Sequence, residues 1–188
     1  MKKTISEPYR SAPDLPFDPH GWFYNHKQLE ECLKNKPMTI IEIGSWLGCS
    51  TRFIAQRLPP GGKLYAVDTW KGSLEEESHQ NDPRLPLLYP LFLSNVKHAK
   101  LTELIIPMRM TSLEAAVKFH LKADLIYIDG AHDTRSVYQD IMAWYPLLAP
   151  GGILCGDDIT WDTVRSAVEL AAIVLEQTVT IQGNFWRF

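Results

Sequence analysis

Four short runs in this chain hold residue types that could do chemistry. They are Glu42-Ile-Gly44-Ser45-Trp46-Leu-Gly48-Cys-Ser50, Asp68-Thr69-Trp70, Asp129-Gly-Ala-His132 and Asp157-Asp158. A strand that turns into a helix through glycines presents backbone N–H groups to a bound anion or polar group. An acid about 20 residues further on, here Asp68, is placed to accept hydrogen bonds from ribose hydroxyls. The glycine spacing is Gly-x-x-x-Gly, whereas a pyrophosphate-binding Gly-x-Gly-x-x-Gly turn would need glycine at position 46. Trp46 stands there, which weighs against a nicotinamide-binding protein.

Three acids, Asp129, Asp157 and Asp158, would be costly to crowd together without a cation. Their oxygen donors suit Mg²⁺, Ca²⁺ or Mn²⁺ rather than zinc. Such an ion can orient two vicinal oxygens and lower a hydroxyl's pKa. The other reading is that Asp157 and Asp158 cap the following segment while Asp129 touches only a cofactor. His132, three residues after Asp129, has a side chain whose ordinary pKa near 6.5 suits a general base. A histidine that fixes its loop or binds a metal is the alternative.

The elements that must position these runs alternate. After an irregular arm over residues 1–21 with four prolines, a helix is expected over Asn25–Asn35, ended by Pro37. Strands follow at Thr39–Ile43, Lys63–Val67, Glu103–Ile106 (stopped by Pro107), Leu125–Ile128 and Ile153–Cys155. Helices are expected over Ser50–Leu58, Leu91–Ala99, Leu113–Phe119, Thr134–Leu148 and Asp162–Leu175. The last places Val164, Val168, Ala171 and Leu175 on one face. The tail reads as a hairpin, Thr178–Ile181 and Asn184–Phe188. This alternation predicts an α/β fold with a mostly parallel, doubly wound sheet and an antiparallel C-terminal hairpin. In such sheets ligands bind beyond the carboxyl ends of the strands, where all four runs fall. Residues 1–36 form an arm and helix placed to cap a substrate, and 37–188 form the main domain. Its insertion at 71–92, with Glu75-Glu76-Glu77 and three prolines, is too polar for core and reads as a lid or binding loop. His79 and Arg84 within it read as solvated surface rather than substrate contacts.

With these residues in view, the chain from about Thr39 to Asp158 resembles the class I S-adenosylmethionine-dependent methyltransferases, whose Rossmann-like sheet has seven strands. Glu42 to Ser50 resembles that superfamily's first motif and Val67 to Trp70 its second. Ile128 to His132, Pro150-Gly-Gly152 and Asp157-Asp158 are similar to the branch of antibiotic-sugar O-methyltransferases and cephalosporin-hydroxylase-like proteins; catechol-type enzymes share its metal site. The resemblance implies cofactor contacts at Glu42, Gly44, Ser45, Gly48, Ser50, Asp68, Thr69, Trp70, Thr111, Ser112 and Asp129. It implies a metal held by Asp129, Asp157 and Asp158, with His132 catalytic. Ser50 and Ser112 read equally well as helix N-caps.

The bulk numbers agree with one globular enzyme domain: 188 residues, 45% hydrophobic, 22% charged, net charge −3. No basic stripe favours nucleic acid, and no apolar run of about 18 residues spans a membrane. No hydrophobic segment follows Lys2-Lys3, so no signal peptide is expected. Cys32, Cys49 and Cys155 read as reduced thiols of a cytoplasmic protein. The leading reading is a metal-assisted O-methyltransferase of a small hydroxylated acceptor, open to forming a homo-oligomer. A metal-independent enzyme with His132 as base, or a cofactor-binding protein without catalysis, are the other readings.

Overall fold

The computed structural model describes residues 5–73 and 76–188. Expectations for residues 1–4 and for Leu74 and Glu75 fall outside the described residues. Successive side chains of a strand face opposite ways, and here both faces of the sheet are apolar. In β4 (Ala123–Ile128), Leu125 and Tyr127 join one buried cluster while Ile126 and Ile128 join the other. In β1 (Thr39–Ile43), Ile40 faces the first cluster and Ile41 and Ile43 the second. Strands buried on both faces need helices on both, the doubly wound arrangement expected.

The sheet has seven strands in the order β3-β2-β1-β4-β5-β7-β6. Besides β1 and β4 these are β2 (Lys63–Asp68), β3 (Ile105–Arg109), β5 (Leu148–Gly156), β6 (Thr180–Gln182) and β7 (Phe185–Arg187). The first five are parallel, and β7 runs antiparallel to β5 and β6. One cluster lies under α1 (His26–Leu33), α2 (Cys49–Ala55) and α4 (Leu88–His98), with Leu29, Ile54 and Phe92 at its heart. The other lies under α5 (Ser112–Lys118), α6 (Thr134–Trp144) and α7 (Asp162–Leu175), built on Ile141, Trp144, Val168 and Trp186. A short helix, α3 (Glu77–Gln80), and a 3₁₀ turn at Leu85–Leu87 sit inside the insertion. Among the described residues no helix is long and apolar enough to cross a membrane.

Three expectations change. β3 runs through Pro107 instead of stopping before it. It is the edge strand, paired only to β2, where a missing N–H breaks no second ladder. β5 begins at Leu148, so the predicted turn at 149–152 is an irregularity within the strand, marked by a register shift opposite Ala123–Leu125. The proline-rich arm is ordered by side chains that meet its backbone. Ser94 Oγ donates to Leu15 O at 2.7 Å, and Asn95 donates to Asp18 O at 2.8 Å and to Leu47 O at 2.9 Å. Tyr9 is buried with its hydroxyl on Ile105 O. Cys32, Cys49 and Cys155 are all free thiols.

Two glycines are demanded by close packing. At Gly44, with φ +84°, an added Cβ would lie 1.9 Å from Asp129 O; at Gly156 it would lie 2.5 Å from the Trp186 ring. Gly151 has a similar φ of +75° but open space around it. Gly44→Ala is therefore expected to lose about 3 kcal/mol or more of unfolding free energy, against about 1 kcal/mol for Gly151→Ala, which meets backbone strain alone. Denaturant unfolding midpoints measure both; equal losses would show that β1 and β4 do not close as described.

Candidate active site

The backbone ladder continues past the strand ends and sets their tips side by side. Gly44 N–H donates to Val67 O, Asp129 N–H to Ile43 O and Asp157 N–H to Ile128 O, at 2.8–3.1 Å. A cavity of about 740 Å³ opens at these tips. On one wall, Asp68 gathers the glycine turn: its Oδ2 accepts from Ser45 N–H and Trp46 N–H, both at 2.9 Å, and its Oδ1 from Trp70 N–H at 2.6 Å. Trp46 and Trp70 hold left-handed backbones, φ 47° and 52°, so that consecutive N–H groups converge on one carboxylate. Burial pushes the Asp68 carboxyl above its usual range, against the pull of those three donors.

Glu42 lies behind this turn, fully buried. Its carboxylate accepts from Ser45 Oγ at 2.8 Å, from Ser50 Oγ at 2.7 Å and from Thr51 Oγ1. Burial pushes its pKa up to about 7, despite these hydroxyls. Glu42, Gly48 and Trp70 do not line the cavity, whereas Gly44, Ser45, Ser50, Asp68 and Thr69 do. Gly48 is the N-cap of α2, a place Ser50 could have taken; Trp70 is buried, with its indole N–H on Trp46 O at 2.8 Å. Thr111 and Ser112 also line the cavity. The cap of α5 is Thr111, in a capping box with Glu114, so Ser112 is free of that task and accepts from Trp144 Nε1 at 2.8 Å.

On the floor, the acids sort themselves. Donor atoms of Asp129, Asp158 and His132 lie within 4.8 Å of one another. Asp157 turns aside: its Oδ1 accepts from Asp158 N–H and from Asn184 Nδ2, both at 2.7 Å, and its Oδ2 lies 3.5 Å from the Tyr127 hydroxyl. Burial first, and then the charges of Asp157, Asp158 and Glu42, hold the Asp129 carboxyl well above the usual range. Burial also raises Asp157. At Asp158 burial is outweighed by His132 and Asn184, and its carboxyl lies below the usual range. Crowded acids, one with its carboxyl raised by burial and by its neighbours, with an imidazole in reach, are a donor set that fits a divalent cation.

His132 departs from its expected ordinary pKa. Its Nδ1 is 2.5 Å from Glu76 Oε1 and its Nε2 is 2.8 Å from Asp158 Oδ2. Burial opposes its charge, but Asp158 and Glu76 outweigh burial and push the pKa up to about 9. Held between two carboxylates, the ring is an imidazolium at neutral pH. Trp161 stacks on it, with ring centroids 4.8 Å apart.

Several of these partners escape sequence reasoning. Glu76 belongs to an acidic run in the insertion that reads as a lid or binding loop, and nothing local marks it as pairing with His132. His79 is no surface residue either: it stacks on Trp46 with centroids 4.6 Å apart and lines the cavity. Arg84 does not; it pairs with Asp82 and Asp18. Of the aromatics in the arm and the insertion, Trp22 and Tyr24 line the cavity, while Phe23 and Phe92 are core. Asp140 was hidden as one polar residue in the α6 pattern; it lines the cavity, and burial raises its carboxyl to about 6.

A family model described as a methyltransferase domain matches residues 41–159. No curated protein sequence matches significantly. Solved structures similar in fold include an O-methyltransferase from Bacillus cereus in complex with SAH, with 17% identity, coverage of 95% of this chain and 85% of that one, and a TM-score of 0.65. An O-methyltransferase from Streptomyces achromogenes involved in tomaymycin synthesis, in complex with SAM, has 14% identity, covers 87% and 77%, and has a TM-score of 0.64. A precorrin 8W decarboxylase from Methanobacterium thermoautotrophicum has 20% identity, covers 87% and 77%, and has a TM-score of 0.65. Likeness at this identity is likeness of fold, and the fold carries more than one chemistry.

The state of Glu42 makes stability depend on pH. A carboxyl whose folded pKa lies above its unfolded value stabilises the fold at low pH, and that contribution is lost as pH rises through the folded pKa. For Glu42 the loss falls between about pH 4.5 and 7. The ligand-free protein is expected to lose up to roughly 3 kcal/mol across that window, and Glu42→Gln to flatten the decline. Thermal melts at pH 5 and 8 compare the two; a variant declining as steeply as the parent would show that Glu42 titrates normally.

Proposed function

The chain belongs to the methyltransferase-domain family, and from that premise we propose that it moves a methyl group from S-adenosylmethionine to a hydroxyl of a small molecule, assisted by a divalent cation such as Mg²⁺ or Mn²⁺. The observation that carries this reading is the placing of Asp129, Asp158 and His132 on the floor of the cavity whose wall holds the glycine turn and Asp68.

The roles follow from the geometry. Asp68 has its donors on the protein side and faces the cavity, where its remaining lone pairs accept from ribose hydroxyls. Gly44 and Ser45 bring backbone close to the methionine part of the cofactor, and Ser50 and Thr69 flank it. Glu42 acts behind them, fixing the hydroxyls of Ser45, Ser50 and Thr51. Thr111 and Ser112, with Asp140 beside them, are placed for the adenine end, where a carboxylate accepts from an exocyclic amine. Asp129 and Asp158 would hold the cation, with Asp157 keeping Asp158 and Asn184 in place. Bound there, the cation would supply positive charge that orients two vicinal acceptor oxygens and favours loss of a proton. His132 takes that proton at Nε2, the nitrogen facing Asp158, while Glu76 holds Nδ1–H. With Asp158 neutralised by a cation, one of the two charges that raise the His132 pKa is withdrawn, and the ring becomes able to accept. The sulfonium supplies the electrophilic methyl group, and Trp161 and Trp22 shield the place of transfer from water.

Calorimetry is expected to show binding of S-adenosylmethionine and none of NAD, and methylation of vicinal diols to stop with EDTA and return with Mg²⁺ or Mn²⁺. NAD preference would sink the reading, and activity indifferent to chelation would retire the metal. His132→Ala is expected to keep cofactor affinity and lose about 100-fold or more in turnover, the usual worth of a positioned base. Unchanged turnover would rule the base role out.

A further inference from the structure

The charges around the cavity are one-sided. Six carboxylates line it, those of Asp68, Glu76, Asp129, Asp140, Asp157 and Asp158, and among the described residues no lysine or arginine does. The lining bases are His79 and His132, and both contact Glu76, at 3.4 and 2.5 Å. The chain has 19 lysines and arginines, so their absence here is local and not compositional. Arginines near the site are turned to other work: Arg52 donates to Leu47 O at 2.7 Å and Arg84 pairs with Asp82 at 2.8 Å. Even with a divalent cation, a cofactor of net charge +1 and a charged His132 in place, acidic side chains outnumber positive charges by six to four. An acceptor therefore meets a negative surface even in the loaded enzyme.

The outer part of the cavity is aromatic. Trp22, Tyr24 and Trp161 line it while staying 46%, 77% and 48% exposed. Exposed aromatic faces beside an excess of carboxylates are the chemistry that holds an ammonium group. Carboxylate, phosphate and coenzyme A-linked acceptors would have to enter an acid-rich cavity that offers no lysine or arginine among the described residues and whose His132 is already held between Glu76 and Asp158.

We propose that the acceptor is an amine-bearing vicinal diol, a cation at neutral pH, whose ammonium lies between Glu76 and the aromatic rim while its hydroxyls face Asp129 and Asp158. This rests on the methyltransferase reading and narrows it from any hydroxylated small molecule to a cationic one. Glu76, with one oxygen on His132 and the other near His79, then takes the further task of turning its charge toward the acceptor, so the insertion determines specificity as well as covering the site.

Three diols matched in shape test the proposal: 3,4-dihydroxybenzylamine, 3,4-dihydroxybenzyl alcohol and 3,4-dihydroxybenzoate. Calorimetry with the full chain loaded with S-adenosylhomocysteine and Mg²⁺ is expected to show the amine binding about tenfold tighter than the alcohol, and the benzoate weakest. The amine's advantage should shrink at high salt, and in Glu76→Gln, read as the amine-to-alcohol ratio so that a general loss of affinity cancels. Equal affinities, a preference for the benzoate, or no diol binding to a protein that still takes S-adenosylhomocysteine would each overturn the proposal and leave the methyltransferase reading standing. Failure to bind S-adenosylhomocysteine would instead overturn that reading, and the proposal with it.

Discussion

The contact on which the site depends is the approach of the β1 end to the β4 end, where Gly44 lies against the backbone of Asp129 with no room for even a methyl group. Parallel strands that close this far beyond their last paired residues bring their loops into a single surface. Gly44, Asp129 and Asp157 are neighbours because three successive N–H groups reach the carbonyls of Val67, Ile43 and Ile128. Once the tips are fixed, Asp68 can reach back across the turn to Ser45 and Trp46, which sets the left-handed kink at Trp46. A tryptophan there, which in the sequence only argued against a pyrophosphate site, serves in the fold as the surface on which His79 stacks.

Packing tips this tightly concentrates acids. Glu42, Asp68, Asp129 and Asp157 are all driven toward the neutral form by burial; Glu42 also feels Asp68, and Asp129 feels Asp157, Asp158 and Glu42. Proteins retain such groups where chemistry needs them, since each is costly to bury. Glu42 shows how the cost is contained: three hydroxyls surround it, and it organises the turn without entering the cavity. Asp129 has no such shell. Among the described residues its carboxylate accepts from the Tyr127 hydroxyl at 3.1 Å and otherwise faces other acids and His132, an arrangement that a cation would relieve.

How much of this was legible follows from where each signal lives. β1 and α7 match their expected bounds because apolar periodicity is a local property of the sequence. The acids after β1, β2, β4 and β5 were visible as candidates because topology alone sends strand ends to one edge. Pro107 misled because its cost depends on whether a strand is an edge, which is a property of the sheet and not of the strand. The sorting of Asp157 from Asp158 was invisible, since it hangs on Asn184 in the hairpin, 26 residues beyond Asp158 in the chain. The pairing of Glu76 was missed and His79 misread for a related reason: a polar, proline-rich insertion has no periodicity, and its partners lie across the cavity.

The insertion is therefore more than a cover. A histidine with only Asp158 beside it would have its pKa set by the strand-end acids alone, and any ligand neutralising Asp158 would free it. Glu76 adds a second hold from the opposite side of the ring, at Nδ1. The proton affinity of His132 is thus divided between an element at the strand ends and one in the insertion. A group that displaces or pairs with Glu76 weakens the second hold, and a positively charged acceptor is such a group. The same carboxylate that would select the acceptor by charge would then lower the barrier to taking its proton, which couples recognition to the base through a single side chain.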